Sequence, residues 1–545
     1  MLFRIFLLLP SLLVYFGSYA QLTQEQRYEI NQLFEDWIAP NHPGGAIGIM
    51  QDGELIFSEA YGLASLEYLV PNTTETLFNI ASVSKQFTAM GIVMLEQQGK
   101  LSLTDPITKH LPDLPEFANK ITIAHMLHHT SGLRSLHAML GMAGWRGDDT
   151  RTNEDLYRFV KLQKALNFEP GDEYLYCNTG FILAGLIIEK ITQQDLPSWS
   201  KENIFEPLGM IHTYLEDKPN RVVKQNATSY DYNNGVFDRA VEYWGYTGSG
   251  NIHSTTRDLL LWAKNFYSPK AGWEKAFERM QLTENFNSGV LNTYALGVNV
   301  NEYKGNKRIQ HGGSIGGFRS NLCTFPEEKL SVVILSNSSK YSVGYLINTM
   351  ADLLLPSVQE PNKLQTTDMP PKNILQNYVG SFWDEKHKNW LHIRLEKDSV
   401  IYLNVDRRQD ILIPIGENKF MAIGNSNEIY IFKSKDTLEL IVGSGVTHTY
   451  SRYERIKSED IEHSEYLGEY YSPELQTSYY LEEQDGELIA YHSRHGALSL
   501  SPIKKDTFRG SYPLGVVELE RGKRNKITGF RATNGRVRNL WFEKK

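Results

Sequence analysis

The stretch from which this chain is best interpreted is Phe78-Asn79-Ile80-Ala81-Ser82-Val83-Ser84-Lys85-Gln86-Phe87, which leads into an apolar-periodic helical segment ending near Gly99. Ser82 and Lys85 are three positions apart, so on a helix their side chains share a face and can meet. A serine hydroxyl needs a neighbouring base to act as a nucleophile. A lysine is such a base only where burial or nearby positive charge lowers its pKa from about 10.4. Taken alone, the pair is more often a coincidence on a protein surface.

Two later segments favour a catalytic role for this pair. A turn at Phe168–Asp172 precedes Tyr176-Cys177-Asn178, which can place a phenol and an amide on one side of a loop. The phenol can take and return a proton, and the amide can hold the lysine or a substrate carbonyl. The run from Arg308 to Ser314 ends a predicted strand with glycines, where a substrate backbone can approach closely.

In this order, Ser82-x-x-Lys85, Tyr176-x-Asn178 and His311-x-Gly313 resemble the three elements of the penicillin-recognising serine hydrolases. That group comprises class C β-lactamases, DD-carboxypeptidases, D-aminopeptidases and related esterases. Supporting phrases that resemble the family lie at residues 99–106, 129–133 and 254–259, and the resemblance covers roughly residues 25 to 355.

The resemblance implies a role for each motif residue. Ser82 attacks a carbonyl, Lys85 and Tyr176 share the general-base work, and Asn178 positions the reacting groups. The backbone N–H groups of Ser82 and Ser314 form the oxyanion hole, which in acyl transfer often contributes several kcal/mol. Gly313 and His311 belong to the third element, which positions the substrate.

His311 is the departure from the family pattern. Lactamases and many carboxypeptidases have lysine there, a permanent cation that helps to bind a substrate carboxylate. A histidine with an ordinary pKa near 6.5 is mostly neutral at pH 7, so the D-aminopeptidase and esterase branches are favoured. Arg319 on the following strand can supply a cation instead, or it can be part of a structural salt bridge.

The predicted fold class is α+β, an antiparallel sheet with a helical subdomain followed by two small antiparallel β-barrels. Apolar runs at Ala46–Met50 and Leu55–Ala60 flank Asp52-Gly53, which predicts a hairpin. Strands are predicted again near 308–311, 319–325 and 330–335, and a helix near 345–355. The predicted domains are a signal peptide at 1–20, the hydrolase-like domain at 21–357, a proline-rich linker at 358–372, and barrels at 373–457 and 458–545.

The barrels are predicted from a tandem repeat. Tyr378-Val379-Gly380 recurs as Tyr466-Leu467-Gly468, a displacement of 88 positions that also relates Pro414 to Pro502 and Phe420 to Phe508. Near the end the match slips by one position, pairing Tyr453 with Phe542. Each unit has enough short strands for an up-and-down, lipocalin-like barrel. We expect the barrels to shape access to the site rather than to supply catalytic groups.

Composition and termini restrict the other possibilities. The net charge of −8 gives no electrostatic reason to expect nucleic acid as a partner. Arg4 followed by an apolar run and Ser18-Tyr19-Ala20 predicts a cleaved signal peptide, and therefore a periplasmic or secreted protein without a membrane span. Cys177 and Cys323 are expected to be two buried thiols. No cofactor is expected, and His125, His128 and His129 lack a carboxylate at metal-ligand spacing, so no metal is expected.

These observations predict hydrolysis of small amide or ester substrates, such as D-amino-acid peptides, amides or esters, through an acyl-enzyme on Ser82. The alternatives are a β-lactamase or DD-carboxypeptidase acting on peptidoglycan-type substrates, and a non-catalytic module that binds peptidoglycan or protein. The segment that contains Arg494 and His495 is expected to be a solvated hairpin tip; the alternative is a loop that reaches over the active site.

Overall fold

The computed structural model describes residues 21–355, 366–396, 400–405, 408–423, 425–442 and 446–545. The predicted signal peptide and residues 358–365 of the predicted linker lie outside these ranges. From residue 366 the chain has no helix or strand until a short helix begins at Lys372.

An antiparallel sheet of six strands forms the centre of the N-terminal domain. Its predicted hairpin is confirmed: Gly45–Gln51 and Glu54–Tyr61 are joined by Asp52 and Gly53, both at the positive φ that a tight two-residue turn requires. The first strand of the hairpin also pairs with Leu330–Ser336, so strands from the two ends of the domain lie side by side in the sheet. In spatial order the strands are Asn299–Tyr303, Asn306–Ile315, Phe318–Phe325, Leu330–Ser336, Gly45–Gln51 and Glu54–Tyr61.

Helices cover both faces of this sheet, which explains why Leu330–Ser336 is buried along its whole length. Gln24–Leu33 and Val343–Leu354 pack on one face, and Thr256–Lys264 packs on the other. The predicted α+β class is therefore confirmed. The remaining helices of the domain are Lys85–Gln97, Ile123–Leu127, Leu136–Met142, Asn153–Leu162, Asn178–Thr192, Leu196–Ser200 and Glu274–Met280. Among the described residues, every helix is too short or too polar to cross a bilayer.

The repeat forms two closed barrels of eight antiparallel strands each. The displacement of 88 positions is confirmed by the pairing, because Pro414 pairs with Phe420 and Pro502 with Phe508, each pair beside a bulge. The strands of the first barrel are Gly380–Asp384, Asn389–Glu396, Val400–Val405, Arg408–Gly416, Lys419–Ala422, Asn425–Phe432, Thr437–Ile441 and Thr447–Tyr453. Those of the second are Gly468–Ser472, Thr477–Gln484, Glu487–His492, Gly496–Lys504, Thr507–Gly510, Val516–Arg521, Ile527–Thr533 and Leu540–Lys544.

The predicted register at the end of the repeat is wrong. Trp383 pairs with Ser451 in the first barrel, and Tyr471 pairs with Glu543 in the second. By this pairing Phe542 corresponds to Tyr450 rather than to Tyr453. The sequence match is misleading because an earlier hairpin of the repeat is longer in the second barrel. In the second barrel Leu519 pairs with Phe530, whereas in the first barrel Phe432 pairs with Leu438, which is closer in the chain.

The two barrels relate differently to the N-terminal domain. The first has an apolar core of its own, whereas the core of the second is continuous with that of the N-terminal domain. Polar contacts strengthen this junction: Arg134 forms a buried ion pair with Glu474, and the Tyr479 hydroxyl donates to the carbonyl of Met142 at 2.9 Å. The second barrel is therefore docked on the domain as a fixed part of its surface.

The two cysteines are buried free thiols, as expected. Cys177 Sγ donates to the carbonyl of Leu133 at 3.3 Å, and burial raises the pKa of this thiol. The Cys177 side chain is therefore not available as a nucleophile.

The buried ion pair generates the first prediction. Arg134→Met leaves the Glu474 carboxylate buried without its partner, so we expect the free energy of unfolding to fall by about 3–5 kcal/mol. The double variant Arg134→Met/Glu474→Leu removes both charges and should recover most of that loss. Urea unfolding followed by tryptophan fluorescence measures both effects. Equal destabilisation of the single and double variants would contradict the prediction.

Candidate active site

Ser82 lies in a strained turn that precedes a helix. Residues Ala81–Ser84 form one 3-10 turn that runs directly into the helix Lys85–Gln97. Ala81 has a φ of 48°, which is unfavourable for a residue with a side chain and is common next to functional groups. Its N–H donates to Asn79 Oδ1 at 2.9 Å, which holds the turn in place. Ser82 is consequently the partly exposed residue in an otherwise buried segment.

Lys85 is fully buried, at 0% exposure. Its Nζ donates to Ser82 Oγ at 3.1 Å and to the carbonyl of Ser249 at 2.7 Å, and it lies 4.9 Å from the centre of the Tyr176 ring. The spacing of three residues thus brings the predicted nucleophile and base into contact. Ser249 was not predicted; its signal in the sequence is the small-residue run Gly248–Gly250.

The surroundings of Lys85 favour its neutral form. Burial, and then the positive charge of Arg536, hold its pKa well below the usual value. A buried lysine without a carboxylate partner loses its proton readily, because the interior stabilises the neutral amine. The neutral amine is the form that can accept the Ser82 proton.

Tyr176 and Asn178 face the same site. Burial raises the Tyr176 pKa, and Ser82 opposes part of that rise. Among the described residues, the buried atoms Tyr176 Oη, Asn178 Oδ1 and Ser249 Oγ have no hydrogen-bond partner of standard geometry. Buried polar atoms are normally paired, so three such atoms around Ser82 indicate a site built for a ligand rather than for stability.

The third element approaches Ser82 from the sheet. Gly313 lies in the strand Asn306–Ile315, and a Cβ there would come within 2.3 Å of the Ile80 carbonyl oxygen. Ser320 Oγ donates to the same oxygen at 2.7 Å. The absence of a side chain at 313 therefore lets the strand contact the turn that carries Ser82. Ser314, Asn178 and Ser82 line one cavity of about 240 Å³.

His311 is buried and its ring is engaged on both sides. The Tyr294 hydroxyl lies 2.8 Å from Nε2, and Nδ1 lies 2.6 Å from the carbonyl oxygen of Gly312. Burial, and then the charge of Lys85, lower the His311 pKa to about 3. The ring is therefore neutral: Nδ1–H donates to Gly312, and Nε2 accepts from Tyr294.

Arg319 does not compensate for this missing charge. Its Nη1 donates to the carbonyl oxygens of Gly316 and Phe318, at 2.6 and 2.8 Å. The arginine thus closes the hairpin that follows Ser314. Burial lowers its pKa, and the nearby carboxylates of Asp231 and Glu242 oppose that change.

Arg536 is a site residue that the sequence analysis missed. Arg536 belongs to the second barrel, and its guanidinium lies 4.9 Å from the centre of the Tyr176 ring. Its carbonyl accepts from the backbone N–H of Ser135 at 3.1 Å and from Asn167 Nδ2 at 3.2 Å. No local pattern distinguishes this arginine, because only the docking of the barrel brings it to Tyr176. The barrels were expected to shape access only, but the second also places a charge beside the predicted base.

Arg494 and His495 anchor the second barrel. Arg494 Nη2 donates to Asp149 at 2.7 Å, and His495 Nε2 lies 2.7 Å from the carbonyl oxygen of Gly141. The segment is the expected hairpin tip, with Ser493 and Arg494 exposed, but these contacts dock it on the N-terminal domain. Neither Arg494 nor His495 lines the described cavity around Ser82. His495 lines a larger neighbouring cleft.

This cleft lies between the N-terminal domain and both barrels and has a volume of about 1100 Å³. It shares His137 and Trp244 with the cavity around Ser82, so the two are adjacent. The described residues that line it include no aspartate or glutamate; its permanent cations are Arg146, Arg151, Lys388, Arg509 and Arg536. Aromatic rings of Trp145, Trp244, Trp390 and Tyr512 complete its walls.

The histidines near residue 129 have structural roles. His128 Nδ1 lies 2.9 Å from the Tyr294 carbonyl oxygen, and His129 Nδ1 accepts from the backbone N–H of Cys177 at 3.1 Å. His129 thereby holds the segment that carries Tyr176 and Asn178.

Comparison with known proteins agrees with this geometry. A family model described as Beta-lactamase matches residues 30–355. Penicillin-binding protein 4* of Bacillus subtilis (strain 168) is 28% identical over 342 residues, which cover 58% of this chain and 73% of the relative.

Two further similarities concern enzymes of D-amino acids. A D-aminopeptidase of Gluconobacter oxydans (strain 621H) is 26% identical over 54% of this chain and 56% of its own length, so the match spans a little over half of that protein. The crystal structure of D-amino acid amidase from Ochrobactrum anthropi SV3, complexed with L-phenylalanine, superimposes with a TM-score of 0.52 at 25% identity. That similarity covers 60% of this chain and 98% of the amidase.

The close approach at Gly313 generates the second prediction. Gly313→Ala places a methyl group against the Ile80 carbonyl and must displace the turn that carries Ser82. We expect labelling of the protein by a fluorophosphonate serine probe to slow by about tenfold or more, with a destabilisation of about 1–3 kcal/mol. Gly312→Ala is the matched control, because a Cβ there has only ordinary contacts, the nearest at 3.6 Å. Equal labelling of the two variants would show that strand and turn are not coupled.

Proposed function

The chain belongs to the beta-lactamase family, and from this premise we propose that it is a serine hydrolase that forms an acyl-enzyme on Ser82. The observation that carries the proposal is the contact of 3.1 Å between Ser82 Oγ and the buried Nζ of Lys85. We propose small amides or esters of D-amino acids as substrates. The D-aminopeptidase and D-amino acid amidase similarities support this choice.

In the proposed acylation, neutral Lys85 accepts the hydroxyl proton of Ser82 while Oγ attacks the substrate carbonyl carbon. The backbone N–H groups of Ser82 and Ser314 stabilise the oxyanion, since both residues line the same small cavity. Tyr176 then delivers a proton to the departing amine or alcohol, and it regains one from the Lys85 ammonium. The bond to the leaving group breaks, and the acyl group remains on Ser82.

In the proposed deacylation, a water molecule attacks the acyl carbon. Tyr176 and Lys85 accept its proton and return one to Ser82 Oγ, which completes the cycle with no net change in the enzyme. The Tyr176 hydroxyl suits this role, because Ser82 lies beside it and, among the described residues, no other group holds it with standard hydrogen-bond geometry.

The surroundings of His311 bear on substrate choice. A neutral ring whose two nitrogens are both occupied cannot attract the carboxylate that lies beside the scissile bond of a penicillin. Substrates that lack this carboxylate are therefore favoured at the third element. The aromatic rings of His137, Trp244 and Tyr246 line the same small cavity and suit an apolar or aromatic substituent.

A second candidate function is supported by the larger cleft. Its arginines and Lys388, without a lining carboxylate among the described residues, favour a substrate whose anionic group lies remote from the scissile bond. A peptidoglycan-type stem peptide has this character where it carries a free side-chain carboxylate several bonds from the amide that is cleaved. Arg146 and Lys388 are balanced by carboxylates outside the cleft, Asp148 and Glu385, which lowers the weight of this alternative.

The third prediction tests the function directly. Purified protein is assayed with D- and L-phenylalanine amide, a short-chain ester, a D-Ala-D-Ala dipeptide N-acylated by a glutamyl group, whose side chain carries a remote carboxylate, and a chromogenic cephalosporin. We expect kcat/KM to be highest for the D-amide or the ester, and Ser82→Ala and Lys85→Met each to reduce turnover roughly 10⁴-fold or more. Preference for the dipeptide would favour the second candidate. Retained turnover in folded Ser82→Ala would exclude the acyl-enzyme, and a wild type that neither turns over nor labels would favour a binding module.

The fourth prediction concerns Arg536 and pH. The acid limb of kcat/KM should follow protonation of Lys85, which inactivates the base. Removing a nearby positive charge raises the Lys85 pKa, so Arg536→Met should move this limb to higher pH. Arg531→Met is the matched control, because this arginine of the second barrel pairs with Glu520. If the acid limbs of kcat/KM coincide for wild type and Arg536→Met, the second barrel does not affect the pKa of Lys85.

A further inference from the structure

We propose that Asp384, His387 and His448 of the first barrel bind a divalent transition-metal ion, with Zn²⁺ as the ion that their donor set fits best. The inference is independent of the proposed hydrolase activity. Two imidazole nitrogens and one carboxylate oxygen are typical protein ligands of Zn²⁺. A site with three protein ligands leaves a fourth tetrahedral position for water.

The three donor atoms converge on one point. His387 Nδ1 lies 2.6 Å from Asp384 Oδ2, His448 Nδ1 lies 3.4 Å from the same oxygen, and the two Nδ1 atoms are 3.0 Å apart. A circle through these three atoms has a radius of about 1.8 Å, so a point about 2.1 Å from all of them exists, at the usual Zn–N and Zn–O bond length.

The orientation of Asp384 is imposed by the backbone. Its Oδ1 accepts from the N–H groups of Lys386 and His387, at 3.0 and 3.1 Å, which turns Oδ2 toward the two histidines. The carboxylate is buried, with 2% exposure of its side chain, whereas His448 is 21% exposed. One side of the cluster is thus fixed in the protein, and the other is accessible to an ion from solvent.

A second carboxylate completes the arrangement typical of a metal-bound histidine. His387 Nε2, on the far side of the ring, lies 3.4 Å from Glu173 Oε2. Histidines that ligate metals almost always donate their other N–H to a carboxylate, a carbonyl or water. Glu173 is itself held by Lys386 at 2.8 Å and by Arg538 at 2.9 Å. The cluster therefore lies where the first barrel meets the loop before Tyr176.

The second barrel supplies an internal comparison. By repeat displacement and strand pairing, the three positions correspond to Ser472, Leu475 and Leu540, which are all buried. The turn is built in the same way in both barrels. The Leu475 N–H donates to Ser472 Oγ at 3.4 Å, and the His387 N–H makes the equivalent contact with Asp384 Oδ1. The barrel corner thus forms without imidazoles, and their presence in one copy indicates a function beyond folding.

No metal was expected from the sequence, where only His125, His128 and His129 were considered as ligands. His387 and His448 are far apart in the chain. The strands Gly380–Asp384 and Thr447–Tyr453 are neighbours only through closure of the barrel. A motif search by spacing therefore has no signal at these positions.

The test is Zn²⁺ binding by the full chain. Protein dialysed against EDTA, and then freed of it, is titrated with Zn²⁺ against a chromophoric chelator, and the occupied site is examined with Co²⁺. We expect one Zn²⁺ per chain and the visible spectrum of tetrahedral Co²⁺. His448→Leu should weaken Zn²⁺ binding at least about tenfold, and Asp384→Ser/His387→Leu/His448→Leu, which copies the second barrel, at least about 100-fold.

His392→Leu is the matched control, because this histidine of the first barrel contacts Ser381 instead of the cluster. It should bind Zn²⁺ as the wild type does. If the triple variant fails to fold, His448→Asn, which alters a partly exposed side chain, makes the same comparison. A wild type that binds no Zn²⁺, or that binds it no more tightly than His448→Leu or His448→Asn, would overturn the proposal.

Discussion

The contact between Ser82 and the buried Lys85 is the constraint on which the rest of the structure depends. A lysine can accept a proton from serine only if it is neutral near physiological pH, and this requires removal from water. Lys85 is buried at the start of the helix Lys85–Gln97, and the Ser249 carbonyl and the Tyr176 ring enclose its amine. The strained turn at Ala81 and the lack of a side chain at Gly313 bring Ser82 and the strand together around Lys85.

The second barrel extends this constraint beyond the N-terminal domain. Its core is continuous with that of the domain, and the backbone contacts of Arg536 hold the arginine beside Tyr176. A positive charge there disfavours a second positive charge on Lys85. The sequence repeat suggests a separate, appended barrel, but this barrel is part of the electrostatic environment of Lys85.

The two barrels illustrate how one fold can serve different purposes. The corner that carries Asp384, His387 and His448 in the first copy is serine and leucine in the second. The second copy uses its surface to dock on the N-terminal domain, whereas the first presents polar groups to the loop that contains Glu173. Both copies keep the strand pairing and bulge near Pro414 and Pro502, because these define the closed sheet.

The sequence alone determined the α+β class, the hairpin at Asp52-Gly53, the tandem repeat and the motif residues around Ser82. These follow from local spacing, since helical periodicity, turn residues and a constant repeat displacement are properties of nearby positions. Only the tertiary structure determined the register of the last strand, the engagement of His311 and Arg319, the arrival of Arg536, and the meeting of His387 with His448. The physical reason is that these contacts join residues distant in the chain, and only the hairpin lengths, barrel closure and domain docking bring them together.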